Sequence, residues 1–307
     1  MTRDLKSERQ RRPLTLPSPQ RRGREGIGLP LPRGEESIGL PLPGERAAKR
    51  EGRGEGTRSR PILGAMGALA IVAVWEVSAR LVWRDAQVLP APTQAIAAAW
   101  QHLSAAELAQ HIGWSLWRIL AGFALGAIAG VALGVASGWY AWLARLVRPI
   151  VDLFRPIPPL AWIPIAIVWF GLGEPSKIFV IFLGAFFPIF TNAWRGMVSV
   201  PPVLLAAART MDVDGPALLF KVALPAALPD ISIGLRVGFG LSFGILVAAE
   251  LIAAERGMGF LVMHSRQLGQ LGVAVFAILM IGVVTLLADS VLAAMLRRLV
   301  GRRMTTH

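Results

Sequence analysis

Six apolar runs separated by short polar segments organise residues 61–307: 62–82, 118–138, 157–172, 177–197, 231–253 and 272–294. A helix needs about 20 mostly apolar residues to cross a bilayer. The pattern therefore predicts an all-α polytopic membrane protein with six transmembrane helices. The third run is short and proline-rich, and an amphipathic lead-in from Leu146 to Phe154, carrying Arg148 and Asp152, extends it backwards. Pro156, Pro158, Pro159 and Pro164 each withhold a helical hydrogen bond there. Broken helices are tolerated in membranes where they line a cavity or are buried in protein. Pro158 and Pro159 thus mark either a bend at the mouth of a pathway or a purely structural kink.

Between the fourth and fifth runs lies a polar island, residues 198–230. Pro201 and Pro202 suit the first turn of a helix, where a missing N–H costs nothing. Leu204, Leu205 and Ala208 then share one helical face. Asp212 to Gly215 reads as a turn, and Pro216 opens a second short helix carrying Leu218, Leu219 and Val222. Pro225 and Pro229 are expected to stop that helix before the next span. Two short helices at a sharp turn make a knob suited to a groove on a partner; the plainer reading is an ordinary loop between spans. Lys and Arg placement favours both termini inside the cell. It puts Arg145, Arg148, Arg155, Arg209, Lys221, Arg297, Arg298, Arg302 and Arg303 on the cytoplasmic side together with the island.

The island resembles the coupling loop of permease subunits of binding-protein-dependent ABC importers. Ala207 and Ala208 match the family's two alanines, Arg209 and Thr210 the pair after them, and Ala223-Leu224-Pro225 the closing tripeptide. Ala206 stands where a glutamate is usual, removing a polar contact to the ATPase. Asp212 stands where a glycine is usual, and Asp tolerates the left-handed conformation better than most residues. The stretches Arg155–Pro164, Trp169–Glu174, Ser176–Phe179, Ala249-Glu250 and Gly257–Leu261 are similar to the sulfonate, nitrate and taurine branch. The resemblance runs from about residue 62 to the C-terminus. It implies a type I importer permease in the bacterial inner membrane, working as a homodimer. It also implies two cytoplasmic ATPase subunits that bind ATP and Mg, and a periplasmic or lipid-anchored solute-binding protein that delivers cargo. The coupling contacts it implies are Ala206, Ala207, Ala208, Arg209, Asp212, Gly215, Leu224 and Pro225. Gly215 should tolerate bulky residues worst if its φ is positive. The implied cargo is an aliphatic sulfonate, taurine or nitrate; relatives in the branch carry pyrimidines or other heterocycles.

Composition agrees with a membrane protein: 54% of the 307 residues are hydrophobic and mean hydropathy is +0.55. With no cysteine, disulfides and thiolate chemistry are excluded. The four histidines, His102, His111, His264 and His307, show no ligand spacing, so no metal centre is expected. Net charge is +13, and residues 1–60 hold over half of it in a Pro-, Gly- and Arg-rich segment with no helical period. That segment reads as a disordered basic cytoplasmic tail, as the product of a mis-assigned start with the true one nearer Met66, or as an anionic-lipid or nucleic-acid arm. Acidic residues interspersed through it weigh against the arm, and no nucleic-acid partner is expected. Deleting residues 2–58 is expected to leave transport unchanged.

Gly122, Gly126, Gly130, Gly134 and Gly138 recur every fourth residue in the second run. They make a groove for close backbone approach, either packing within one subunit or a sliding surface. Gly234 and Gly238, then Gly240 and Gly244, repeat the spacing in the fifth. Of the ionisable residues in spans, Glu76 and Arg80 form an i, i+4 pair, and Arg236 snorkels from near the inner end. Glu250 is the pathway candidate. No phosphate-cradling loop, serine elbow or paired catalytic carboxylates stand out, so the chain carries no ATPase site of its own and no catalytic residue. A secondary carrier would need midplane ion ligands and an internal repeat, neither of which is evident. A non-transporting scaffold is the third reading.

Overall fold

The computed structural model describes residues 60–83 and 89–301. The expectations for the N-terminal tail, and for Arg302 and Arg303, lie outside them. The described residues are helical with short connections. In order they are α1 (Arg60–Ser78, continuing as a π-helical turn, Ala79–Trp83), α2 (Pro92–His102), α3 (Ala105–Trp139) and α4 (Ala141–Phe154). A 3₁₀ turn (Pro159–Trp162) leads into α5 (Ile163–Phe170), followed by α6 (Glu174–Val198) and α7 (Pro202–Arg209). Then come α8 (Gly215–Leu218), a π-helical turn (Leu219–Ala223), α9 (Leu224–Ala253), α10 (Met258–Gln267) and α11 (Leu271–Val300).

Four helical runs are long and apolar enough to cross a membrane, or five if the bent pair α4 and α5 counts as one span. The first expected run, 62–82, is helical as α1 and its π-helical turn but is not one of those four. The third is no straight run: α4 and α5 meet at 86°. Prolines at 156, 158 and 159 supply the break, since the residue before a proline is driven out of the α region. The outward surfaces are apolar, with Ile71, Val74 and Ile128 each 69–72% exposed. In water such surface would be strongly unfavourable; in lipid it is ordinary.

The central contact is α3 on α6. A Cβ added at Gly122, Gly126, Gly130, Gly134 or Gly138 would meet Ile181, Ala185, Ile189, Ala193 or Met197 in turn, at 2.3–3.0 Å. The glycine stripe therefore packs within the subunit. Both residue series ascend together, so α3 and α6 run parallel. The α4–α5 pair between them returns the chain across the same thickness. Gly234 and Gly238 of α9 pack on Asn192, Ile189 and Ala185 with the order reversed, so α9 is antiparallel to α6. Gly240 and Gly244 meet nothing within 4 Å, contrary to the expectation that they repeat the packing device.

A second correction concerns Pro225 and Pro229. They do not end a short helix; helix continues from Gly215 to Ala253. The π-helical turn at Leu219–Ala223 re-registers the hydrogen bonds, and Pro225 falls in the first turn of α9, where no N–H is required. Pro229 leaves free the carbonyl of Pro225, which is exposed at the helix start.

Candidate functional site

Helices α7 and α8 form the knob that the polar island predicts. The turn joining them is set by hydrogen bonds at the end of α7. Val213 N–H donates to the Ala208 carbonyl and Asp212 N–H to that of Arg209, both at 3.1 Å. This is a Schellman cap, whose key residue must be left-handed. Asp212 takes that role with φ 58°, the only positive-φ residue other than glycine among those described. Gly215 at φ 57° then turns the chain into α8. The Arg209–Asp214 pair, 3.8 Å apart and exposed, adds little to stability.

The knob has a bound side and a free side. Leu205, Leu219 and Leu224 pack on the cluster Ala193, Met197, Val200, Ala223, Ala227 and Ile231, where the end of α6 meets the start of α9. Ala208 and Leu218 are buried with them. Ala206, Ala207, Arg209, Asp212, Gly215 and Pro225 are exposed. Beside them Val203, Met211 and Phe220 stand 78%, 76% and 64% open. Of the expected coupling residues, half-buried Leu224 packs on the bundle and Ala208 is buried, while the other six are exposed. Apolar side chains displayed on a polar projection are a docking surface in form.

At the opposite end of the bundle the residues 249–261 and 169–179 converge on a buried ionic cluster. Arg118 of α3, 1% exposed, donates to the Glu174 carboxylate from Nε and Nη2. From Nη1 it donates to Glu250 Oε1 at 2.7 Å and to the Arg256 carbonyl. Lys177 reaches Glu174 at 3.1 Å. Ser115 donates to Glu250 and accepts from the Met258 N–H, while Gly259 N–H donates to Glu250 Oε2 at 2.8 Å. A Cβ at Gly257 or Gly259 would strike Glu250 at 2.4 and 2.7 Å. The two glycines are what lets the α9–α10 connection lie over the carboxylate.

Glu250, the expected pathway residue, is therefore sealed: its side chain is 0% exposed and fully partnered. Losing either charge of such a pair costs about 3–5 kcal/mol, because the other stays buried alone. Pro158 and Pro159 lie apart from it, in the connection between α4 and α5. Sequence reasoning missed Arg118, whose signal was an arginine at the very start of an apolar run. Outside the sealed core, a cavity of about 620 Å³ is lined by Trp114, Arg118, Glu174, Lys177, Glu255 and Arg256.

A family model described as "Binding-protein-dependent transport system inner membrane component" matches residues 122–304. Escherichia coli (strain K12) has a "Putative aliphatic sulfonates transport permease protein SsuC" that is 39% identical over 231 residues, covering 75% of this chain and 88% of that one. Its taurine transport system permease protein TauC is 37% identical over 247 residues, covering 78% and 90%. The nitrate import permease protein NrtB of Synechocystis sp. is 37% identical over 179 residues, covering 58% and 65%. Among solved structures, an inward-facing conformation of the MetNI methionine ABC transporter is similar at 24% identity with a TM-score of 0.46, covering 62% of this chain and 97% of that chain.

Proposed function

The chain belongs to the binding-protein-dependent transport system inner membrane component family, and on that premise we propose that it is the membrane-spanning subunit of an ATP-driven importer for sulfonate-type anions. Two cytoplasmic ATPase subunits dock on the exposed side of the α7–α8 knob in a permease dimer. A solute-binding protein delivers cargo at the opposite end, and both termini lie in the cytoplasm. The observation that carries this reading is the two-sided knob. Its surface offers Val203, Met211 and Phe220, while Leu205, Leu219 and Leu224 are packed into the junction of α6 and α9.

A push on the knob moves α6 and α9 directly, and α3 with them through the glycine stack. Because closely packed helices shift as bodies rather than deform, a nucleotide-dependent motion at one end biases the opening at the other. The relatives named for aliphatic sulfonates, taurine and nitrate support the cargo class.

Co-expression with an ABC ATPase subunit tests the proposal. A stable complex is expected, together with uptake of an alkanesulfonate in proteoliposomes that requires ATP and the binding protein. Both should be lost when Val203, Met211 and Phe220 are replaced together by Asp. Uptake that proceeds at full rate without any ATPase would refute the reading.

A further inference from the structure

One ion pair that bridges two spans lies on the surface instead of in the packed interior. Arg236 of α9 donates from Nη2 to Asp289 Oδ2 of α11 at 2.9 Å and from Nε to Oδ1 at 3.3 Å. The two side chains are 59% and 31% exposed. Their depth follows from their neighbours. Gly234 and Gly238, flanking Arg236, both pack on Ile189 of α6. At 1.5 Å per residue, Ile189 is about 22 Å along α6 from Glu174 and about 14 Å from Val198. By the same rise, Asp289 is about 27 Å from the start of α11 and about 16 Å from its end.

The pair therefore stands inside the apolar runs 231–253 and 272–294, each residue five positions, about 8 Å, from the end of its run nearer the knob. An arginine there could snorkel, as the sequence reading expected, but the structure ties it to an aspartate too short to do so. Charged groups at this depth face a water-filled cavity or protein rather than lipid. The rest of the face is open but uncharged, with Val237, Leu241 and Leu286 exposed beside the pair. Gly240 and Gly244 follow Arg236 along the exposed stripe of α9, and Gly282 lies on α11; a Cβ at any of the three would meet nothing within 4 Å. By contrast, Ile71 and Val74 of α1, 72% and 69% exposed, lie on the side of that helix away from its Glu76–Arg80 pair.

We propose that the α9–α11 face around Arg236 and Asp289 lines the aqueous translocation pathway, with Arg236 the contact for the anionic head of the cargo; this rests on the importer reading. A guanidinium carries five N–H donors. Asp289 engages two of them, leaving three for a sulfonate. The aspartate also offsets the positive charge, so the contact is weak enough for cargo to leave again, as conduction requires.

The chain has no cysteine, so single-cysteine variants report cleanly. In the assembled transporter in nanodiscs, Val237→Cys and Leu241→Cys are expected to react with a charged methanethiosulfonate about tenfold faster than Ile71→Cys and Val74→Cys. Equally slow reaction at all four would overturn the pathway assignment, whether the face meets lipid or a sealed contact with a second copy. The double variant Arg236→Gln/Asp289→Asn, which leaves no charge unpaired, is expected to lower maximal alkanesulfonate uptake about tenfold, with Arg236→Lys retaining more. Wild-type uptake by the double variant would overturn the cargo contact. Failure of the unmodified chain to bind an ATPase would instead count against the importer reading alone.

Discussion

Asp212 holds, at φ 58°, a left-handed conformation that a glycine would adopt without strain. Its carboxylate makes no capping hydrogen bond there; the backbone alone closes the turn. Asp212→Gly is therefore expected to stabilise the protein by about 1 kcal/mol, seen as a higher midpoint in a thermal scan of the purified subunit. Gly215 at φ 57° is the reverse case. Gly215→Val should cost about 1–2 kcal/mol and uncouple ATP hydrolysis from uptake, and a valine variant that couples normally would show the turn geometry to be dispensable. Both conformations were legible in the sequence as turn residues at motif positions. The setting of Glu250 was not. Gly257 and Gly259 were visible as part of one motif and Glu250 as part of another. Only folding laid those glycines over the carboxylate and brought Arg118 to it from 132 residues away.

Among the elements, the glycine stripe of α3 shows how far spacing goes. A period of four residues announced a groove, and the structure fills it with α6 of the same subunit. Gly126→Ala puts a methyl group 2.6 Å from the Ala185 Cβ and 2.9 Å from a backbone carbonyl, so α3 must lift from α6. A loss of about 1–3 kcal/mol is expected from that overpacking. Gly113→Ala, in the same helix with open space around it, should gain up to about 1 kcal/mol from helix propensity. Denaturation of the two variants side by side separates packing from propensity, and equal effects would rule out the contact as the cause. Gly240 and Gly244 carry identical spacing and meet no partner among the described residues, because a period cannot say which neighbour arrives. Pro225 and Pro229 teach the same lesson. A proline ends a helix only where an N–H is needed, and a π-helical turn removed that need.

For the whole molecule, the parallel course of α3 and α6 makes the bent pair between them a return crossing, which fixes the relation of the two ends. The knob, the start of α9 and the end of α11 share one end; α2, α10 and the Arg118 cluster share the other. Cysteines at Met211 and Gly301 should accordingly be labelled from one face of the membrane, and a cysteine at Glu255 only from the opposite face. Labelling of Met211 and Gly301 from different faces would break this topology. The sequence by itself determined the all-helical class, the positions of the apolar runs and the turn at Asp212–Gly215. Those properties depend on local composition and on turn residues read within a few positions. The tertiary structure decided which glycines are packed, that Glu250 is sealed, and that Arg236 meets Asp289 on an open face. Each of those depends on which distant side chain comes within a few ångströms, and no local pattern encodes that distance.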